Sequence, residues 1–344
     1  MQFFSAADLD AALDFPALID ALAGGFRDGL TAPARHHHVI ARPGEPPATH
    51  LIMPAWSESA RGPLLGVKIV NVFPGNSARG LPAVQGTYVL QSAETGETLA
   101  ILDGTRLTLW RTAAASALAA RYLARNDARA LLLVGAGALA PFLARAHASQ
   151  RPIATIAVWN HRPEGARKLA GSLAADGFAA RAVENLQDAV GEADIVSCAT
   201  LSQAPLISGG WLRPGQHVDL IGAYNMQMRE VDDAALRRAR IFVDTPAALS
   251  EGGDVAQGIA SGAMTRADVV ADLRALVSGA PGRGGSEEIT LFKSIGAAIE
   301  DLAAAMRSVF IPATTSSSIK TQTFHSGSRP SPHWQARRMS RVLL

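Results

Sequence analysis

Cysteine is almost absent from this chain: Cys198 stands alone among 344 residues. A single thiol excludes an internal disulfide framework and a cysteine-based zinc site, and it points to a reducing compartment, the cytoplasm. Long apolar runs are missing too. Lys, Arg, Asp or Glu interrupts every hydrophobic stretch well before 18 residues, so no segment reads as a membrane span. The start, MQFFSAADLD, has an early acid, no basic region and no cleavage pattern, and does not read as a signal peptide. Charged residues make up only 18% of the chain against 48% hydrophobic, which excludes global disorder and provides for a packed core. No internal repeat is visible. The length allows two domains.

The formal charge of +2 is unevenly spread. From Pro312 to Leu344 there are five basic residues and no acid, and the remainder holds 27 basic against 30 acidic residues. The body is therefore mildly acidic. A nucleic-acid partner would rest on the tail alone, and none is expected. That tail, rich in Ser, Thr and Pro, reads as a disordered appendix over 312–344.

Residues 5–30 read as helical, with Ser5 and Asp14 as N-caps and Pro16 in a first turn. From 49 to 102 the runs THLIMP, LLGVKIVNVF, VQGTYVLQS and ETLAILD read as strands separated by turns. An alanine-rich helix over 111–125 leads out of this region. Strands and helices then alternate, through ALLLVGAG, ATIAVWN, AARAV, ADIVSCAT, HVDLIGAY and RIFVDT, which predicts a parallel sheet covered on both faces. A helical pattern over 264–279 and a strand-to-helix run, ITLFKSIGAAIEDLAAAM, follow. The fold class expected is α/β: a doubly wound Rossmann sheet plus a discontinuous α+β domain.

Gly135-Ala136-Gly137-Ala138-Leu139-Ala140 forms G-x-G-x-x-A at the end of an apolar strand and the start of a helix. Gly135 permits the tight turn, Gly137 lets backbone approach a pyrophosphate, and Ala140 allows close helix–strand packing. The second strand ends at Asn160-His161-Arg162, where an NAD site expects an acid. With no acid there and a guanidinium available to a 2′-phosphate, NADP(H) is favoured over NAD(H), with acceptance of both as the alternative. Cys198 lies in a buried strand without an activating neighbour and reads as core. Thr200, at the carboxyl end of that strand, is a candidate cofactor contact.

Three cations are candidates on the substrate side. Lys68 interrupts an apolar strand, as an edge residue or as an anion-binding, proton-donating lysine. Arg111 is expected to open the alanine-rich helix, beside free N–H groups, where a carboxylate would sit. Arg35 is the third. His36, His37 and His38 adjoin it on an extended segment, alternate in direction and lack an acidic companion, so no metal site is expected.

The stretches MPA (53–55), GVKIV (66–70), LDGTRLTLWRTAAASALAA (102–120), EGGD (251–254) and ITLFKSIGAAIEDLAA (289–304) resemble the ornithine cyclodeaminase/mu-crystallin family. The resemblance implies a homodimer, with substrate-binding and dimerisation in residues 1–118 and 289–311 and a Rossmann domain over 119–288. It implies that Arg35, Lys68 and Arg111 hold a substrate carboxylate, and that Lys293 and Ser294 lie near the nicotinamide. Cyclodeaminases carry an aspartate where this chain has Tyr224 and a glutamate where it has Leu51. Those departures favour the ketimine reductase branch, reducing imino acids such as Δ1-pyrroline-2-carboxylate by hydride transfer to the C=N carbon. Ornithine cyclodeamination, alanine dehydrogenation and an NADP-regulated binding role of the mu-crystallin type are the alternatives.

Overall fold

The computed structural model describes residues 1–57 and 63–310. The appendix expected over 312–344 lies outside them. The chain divides into two compact units, Met1–Arg111 with the chain from Ala297 on, and Thr112–Gly296.

The first unit begins with strand β1 (Gln2–Phe4), helices α1 (Ala6–Ala12) and α2 (Phe15–Arg27), and the short strand β2 (Leu30–Thr31). Ser5 caps α1 in a capping box with Asp8, and Asp14 caps α2 by accepting the Ala17 N–H at 2.9 Å. Phe15, Leu18, Ile19, Leu22 and Phe26 give α2 a buried stripe at helical spacing. Strands β3 (His36–Ile40), β4 (Ala48–Ser57), β5 (Leu64–Val72), β6 (Val84–Ser92) and β7 (Thr98–Asp103) complete a seven-stranded sheet. Its order is β1-β7-β6-β5-β4-β2, with β3 also pairing β4, and all pairs are antiparallel except β1 with β7. In β5 the residues Leu64, Gly66, Lys68, Val70 and Val72 share the buried face. The C-terminal helix Ala298–Val309 packs on α2 and on this sheet.

Helix α3 spans Gly104–Leu123, so it starts seven residues before the expected position of Arg111. The reason is Asp103, whose Oδ1 accepts the Arg106 N–H at 2.8 Å and so supplies a cap that the alanine run had obscured. Arg111 therefore stands mid-helix, where backbone N–H groups are already spent, and the free helix terminus expected beside it does not exist.

The second unit holds an all-parallel eight-stranded sheet. Its elements run β8 (Ala130–Val134), α4 (Ala140–Gln150), β9 (Thr155–Trp159), α5 (Pro163–Ala175), β10 (Ala180–Ala182), α6 (Leu186–Glu192), β11 (Ile195–Cys198) and β12 (His217–Leu220). They continue α7 (Asp233–Arg238), β13 (Arg240–Val243), α8 (Ala248–Glu251), α9 (Gly253–Ala260), β14 (Val269–Asp272), α10 (Leu273–Val277) and β15 (Thr290–Lys293). The strand order is β10-β9-β8-β11-β12-β15-β13-β14, so the sheet reverses direction of growth between β8 and β11. Ligands of open α/β sheets bind at such a reversal, outside the carboxyl ends of the strands.

Two boundaries differ from the sequence reading. The resemblance puts 289–311 with the first domain, yet β15 (Thr290–Lys293) lies inside the second sheet, hydrogen-bonded to β12 and β13 with all four residues buried. The expected helix over 264–279 is instead a 3-10 turn (Arg266–Asp268) and the short α10, interrupted by strand β14. Its Val269-Val270 pair suits the sheet edge, and Asp272 caps only the short α10.

Candidate active site

Lys68 sits on β5, an interior strand between β4 and β6, so the edge-residue alternative is excluded. It is 1% exposed. Its Nζ donates to Asp301 Oδ1 at 2.8 Å, and Arg111 Nε donates to the same oxygen at 2.9 Å. Arg111 Nη1 donates to Glu300 Oε2 at 2.7 Å. Strand β5, helix α3 and the C-terminal helix thus bring two cations and two carboxylates into one buried cluster. Burial and the neighbouring guanidinium lower the Lys68 ammonium from 10.5 to about 8, while Asp301 and Glu300 pull it upward.

Tyr88 lies directly across from Lys68 on β6 and is fully buried. Burial and then Asp301 push its phenol well up. Its hydroxyl occupies the space above Gly66, where a Cβ would lie 2.1 Å from it. The Tyr88 hydroxyl and Asp301 Oδ2 have no hydrogen-bond partner among the described residues. Arg35 is half-buried just before β3. The three histidines after it are exposed. His38 faces His50 across the strands, with ring centroids 6.2 Å apart, and His50 Nδ1 is 2.7 Å from Asn71. Among the described residues no three His, Cys, Asp or Glu side chains gather as a metal site.

In the second unit, the glycine-rich turn after β8 has the geometry a dinucleotide requires. Gly135 adopts φ +108°, and a Cβ there would lie 2.7 Å from the Ala199 carbonyl oxygen, so no other residue fits. A Cβ on Gly137 would meet nothing within 4 Å, and Gly137 and Ala138 are exposed. Ala136 and Leu139 are half-buried, and Ala140 is buried. Helix α4 has no side-chain cap, and its own first amides are spent or missing: Ala140 donates its N–H to Gly137 O at 3.1 Å, Pro141 has none, and Phe142 donates to Leu139 O at 3.0 Å. Asn160 Oδ1 accepts the Ala136 N–H at 3.3 Å and its Nδ2 donates to Arg162 O at 2.9 Å, so the carboxamide braces the turn. His161 and Arg162 are exposed beside it.

Thr200 follows β11, and its hydroxyl donates to Glu230 Oε1 at 2.8 Å. Lys293 is fully buried at the end of β15, with Nζ 3.1 Å from Asp254 Oδ2. Beyond it, Asp244 Oδ2 accepts the Ser294 hydroxyl at 2.9 Å and the N–H groups of Ile295 and Gly296 at 2.7 Å each, which fixes the FKSIG loop. Cys198 is buried, and burial pushes its thiol well up. Leu51 is buried on β4, and Tyr224 is half-buried after β12.

Glu230, Asp244, Glu300 and Asp301 were not singled out from sequence. Acids on the apolar side of a helix, as in IEDLAA, were the available signal for the last two.

A profile of the ornithine cyclodeaminase/mu-crystallin family matches residues 14–311. The chain is 44% identical over 306 residues to a Delta(1)-pyrroline-2-carboxylate reductase of Paracoccus denitrificans, covering 88% of this chain and 94% of that one. The fold superposes on Thermococcus litoralis Delta(1)-pyrroline-2-carboxylate reductase in complex with NADH and L-proline, with TM-score 0.85 and 31% identity over 90% of this chain and 96% of that one. An archaeal alanine dehydrogenase dimer with bound NAD gives TM-score 0.82 at 28% identity, over 90% and 95% of the two chains.

Proposed function

The chain belongs to the ornithine cyclodeaminase/mu-crystallin family, and from that premise we propose that it is a nicotinamide-dinucleotide-dependent reductase of small imino acids, such as Δ1-pyrroline-2-carboxylate. The observation that carries this reading is the convergence of Lys68 and Arg111 on one oxygen of Asp301. Two cations held at fixed spacing in a buried setting suit a substrate carboxylate, with Arg35 as a further donor. An ammonium lowered to about 8 also releases its proton far more readily than an ordinary lysine, so Lys68 serves as the acid that protonates the imine nitrogen.

The second unit takes the dinucleotide. Gly135, Ala136, Gly137, Ala138 and Leu139 cradle its phosphates, Asn160 shapes that turn, and Thr200 and Lys293 belong to its carboxyl edge. When bound, the dinucleotide supplies the hydride. Exposed Arg162 gives the ribose end positive charge, with His161 beside it as a hydrogen-bonding group, which favours NADP(H) while leaving NAD(H) usable. Leu51 and Tyr224 stand where cyclodeamination expects carboxylates, which speaks against ornithine as substrate.

We place the enzyme in the cytoplasm as a homodimer. The dimeric alanine dehydrogenase neighbour supports the assembly. So does the outer face of the seven-stranded sheet, where Phe3 and Ile69 are exposed. No described helix is long and apolar enough to cross a membrane.

The test pairs two assays of the purified protein. Δ1-Pyrroline-2-carboxylate with NADPH or NADH should give imine-dependent loss of the reduced-nicotinamide absorbance. Ammonia release from L-ornithine with NAD⁺, without that loss, would overturn the reading.

A further inference from the structure

Three neighbouring strands of the second unit, β11, β12 and β15, end around one buried carboxylate. Glu230 Oε1 accepts the Thr200 N–H at 2.7 Å and the Thr200 hydroxyl at 2.8 Å. Its Oε2 accepts the Gly222 N–H at 2.9 Å and the Ala223 N–H at 3.4 Å. The backbone N–H groups of Glu230 and Val231 in turn donate to Asp254 Oδ1 at 2.6 and 3.0 Å, and Asp254 faces Lys293. Glu230, Asp254 and Lys293 are all 0% exposed. The packing leaves no slack: a Cβ on Gly222 would lie 2.0 Å from Thr200 O and 2.4 Å from Glu230 Oε1.

The segments so tied, 199–202 and 222–225, lie at the carboxyl edge of the sheet, where a dinucleotide is held. We propose that Glu230 is a positioning residue for dinucleotide binding, its ionised carboxylate holding these two segments in the receptive shape while Asp254 and Lys293 anchor its backbone. The proposal rests on the dinucleotide reading above and deepens it.

The chemistry makes the shape depend on a proton. An ionised carboxylate accepts only, and the four groups hydrogen-bonded to Glu230, the Thr200 hydroxyl and three amides, all donate. Protonation turns one oxygen into a donor. The threonine hydroxyl can rotate to accept it, but the three amides cannot, so a proton on Oε2 sets two donors against each other. The groups facing Glu230 are Asp254 from α9, Lys293 from β15 and the Cys198 thiol from β11, while the segment after β12 presents amides. Burial is the main cause that pushes Glu230 up to about 7. Lys293 opposes the rise and Asp254 adds to it. The receptive form therefore fills as pH rises through neutrality, and binding releases protons.

The experiment is calorimetric titration of the full-length protein with NADH, which lacks the titrating 2′-phosphate, from pH 6 to 8 in buffers of different ionisation enthalpy. Binding to the wild type should tighten about five- to tenfold across that range and release about half a proton per site at pH 7. In Glu230→Gln, affinity at pH 8 should fall about tenfold, and the proton release should vanish. Should that variant fail to fold, Thr200→Val removes one donor from the carboxylate. It should move the affinity midpoint to higher pH. Tight binding with no pH dependence, or a Glu230→Gln variant indistinguishable from wild type, overturns the role of Glu230. Absence of any NADH or NADPH binding to the wild type at pH 8 overturns the dinucleotide reading itself.

Discussion

The two units use buried charge in opposite ways. In the first, side chains hold side chains: Lys68 and Arg111 are matched by Glu300 and Asp301, two charges of each sign. In the second, side chains hold backbone: Glu230 and Asp254 spend most of their acceptors on amide groups, and Lys293 pairs with Asp254. A cluster of the first kind presents charged groups whose chemistry is available to a ligand. A cluster of the second kind presents a shape. The difference teaches that recognition of a small charged substrate and recognition of a long cofactor make different demands on buried ions. The substrate needs poised donors, whereas the cofactor needs rigid loops.

The largest effect should come from breaking the first cluster. Lys68→Ala should lower kcat/KM for the imine by roughly 10²–10⁴-fold through loss of the acid, while calorimetric dinucleotide affinity stays unchanged. Arg111→Ala should cut turnover comparably and also lower the melting temperature, because it takes one partner from each of two buried carboxylates, Glu300 and Asp301, at a cost of about 3–5 kcal/mol. Loss of dinucleotide binding in both variants would show that the two clusters are not separable.

A subtler change sharpens the same contrast through pH. Lys68 must be protonated to act, so the wild-type rate should fall as pH rises through about 8. Asp301 pulls that value upward, so Asp301→Asn should move the alkaline limb of kcat/KM to lower pH, by about one unit. Stability runs the other way. The folded value of about 8 lies below the ordinary 10.5, so the native state binds fewer protons over that window. Stability from this group should therefore rise with pH between 8 and 10.5 while activity declines. Denaturant titrations alongside rate profiles would show the two trends crossing, and parallel trends would remove Lys68 as the acid.

The smallest effect concerns surface charge. Arg162→Ala should weaken NADPH about tenfold and leave NADH alone, as expected for one exposed guanidinium on a phosphate. Equal weakening of both cofactors would assign Arg162 to the turn that Asn160 braces.

Local signals in the sequence carried far. Ser5 and Asp14 announced their caps, the apolar run of β5 singled out Lys68 while leaving edge and interior open, and G-x-G-x-x-A placed the turn at Gly135. What sequence alone could not supply was partnership across distance. Asp301 lies 233 residues from Lys68, and no periodicity links a strand to the helix that answers it. The start of α3 was missed because the alanine run outweighed Asp103, a cap whose role shows only once its oxygen meets the Arg106 amide. Asp254 stood inside EGGD and Glu230 in no motif, and the task of both is to satisfy backbone groups, a demand set by tertiary structure.

The position of β15 bears on biosynthesis. β13 is made before β15 yet lies beyond it in the sheet, so the growing chain must leave an open slot between β12 and β13 for some fifty residues of synthesis. The counter-ions of Lys68 and Arg111 arrive later still, with the C-terminal helix. On the ribosome neither unit can close until the stretch 290–309 emerges. The nascent polypeptide must therefore carry unpaired strand edges and uncompensated cations through most of its elongation, a window in which chaperone binding competes with aggregation.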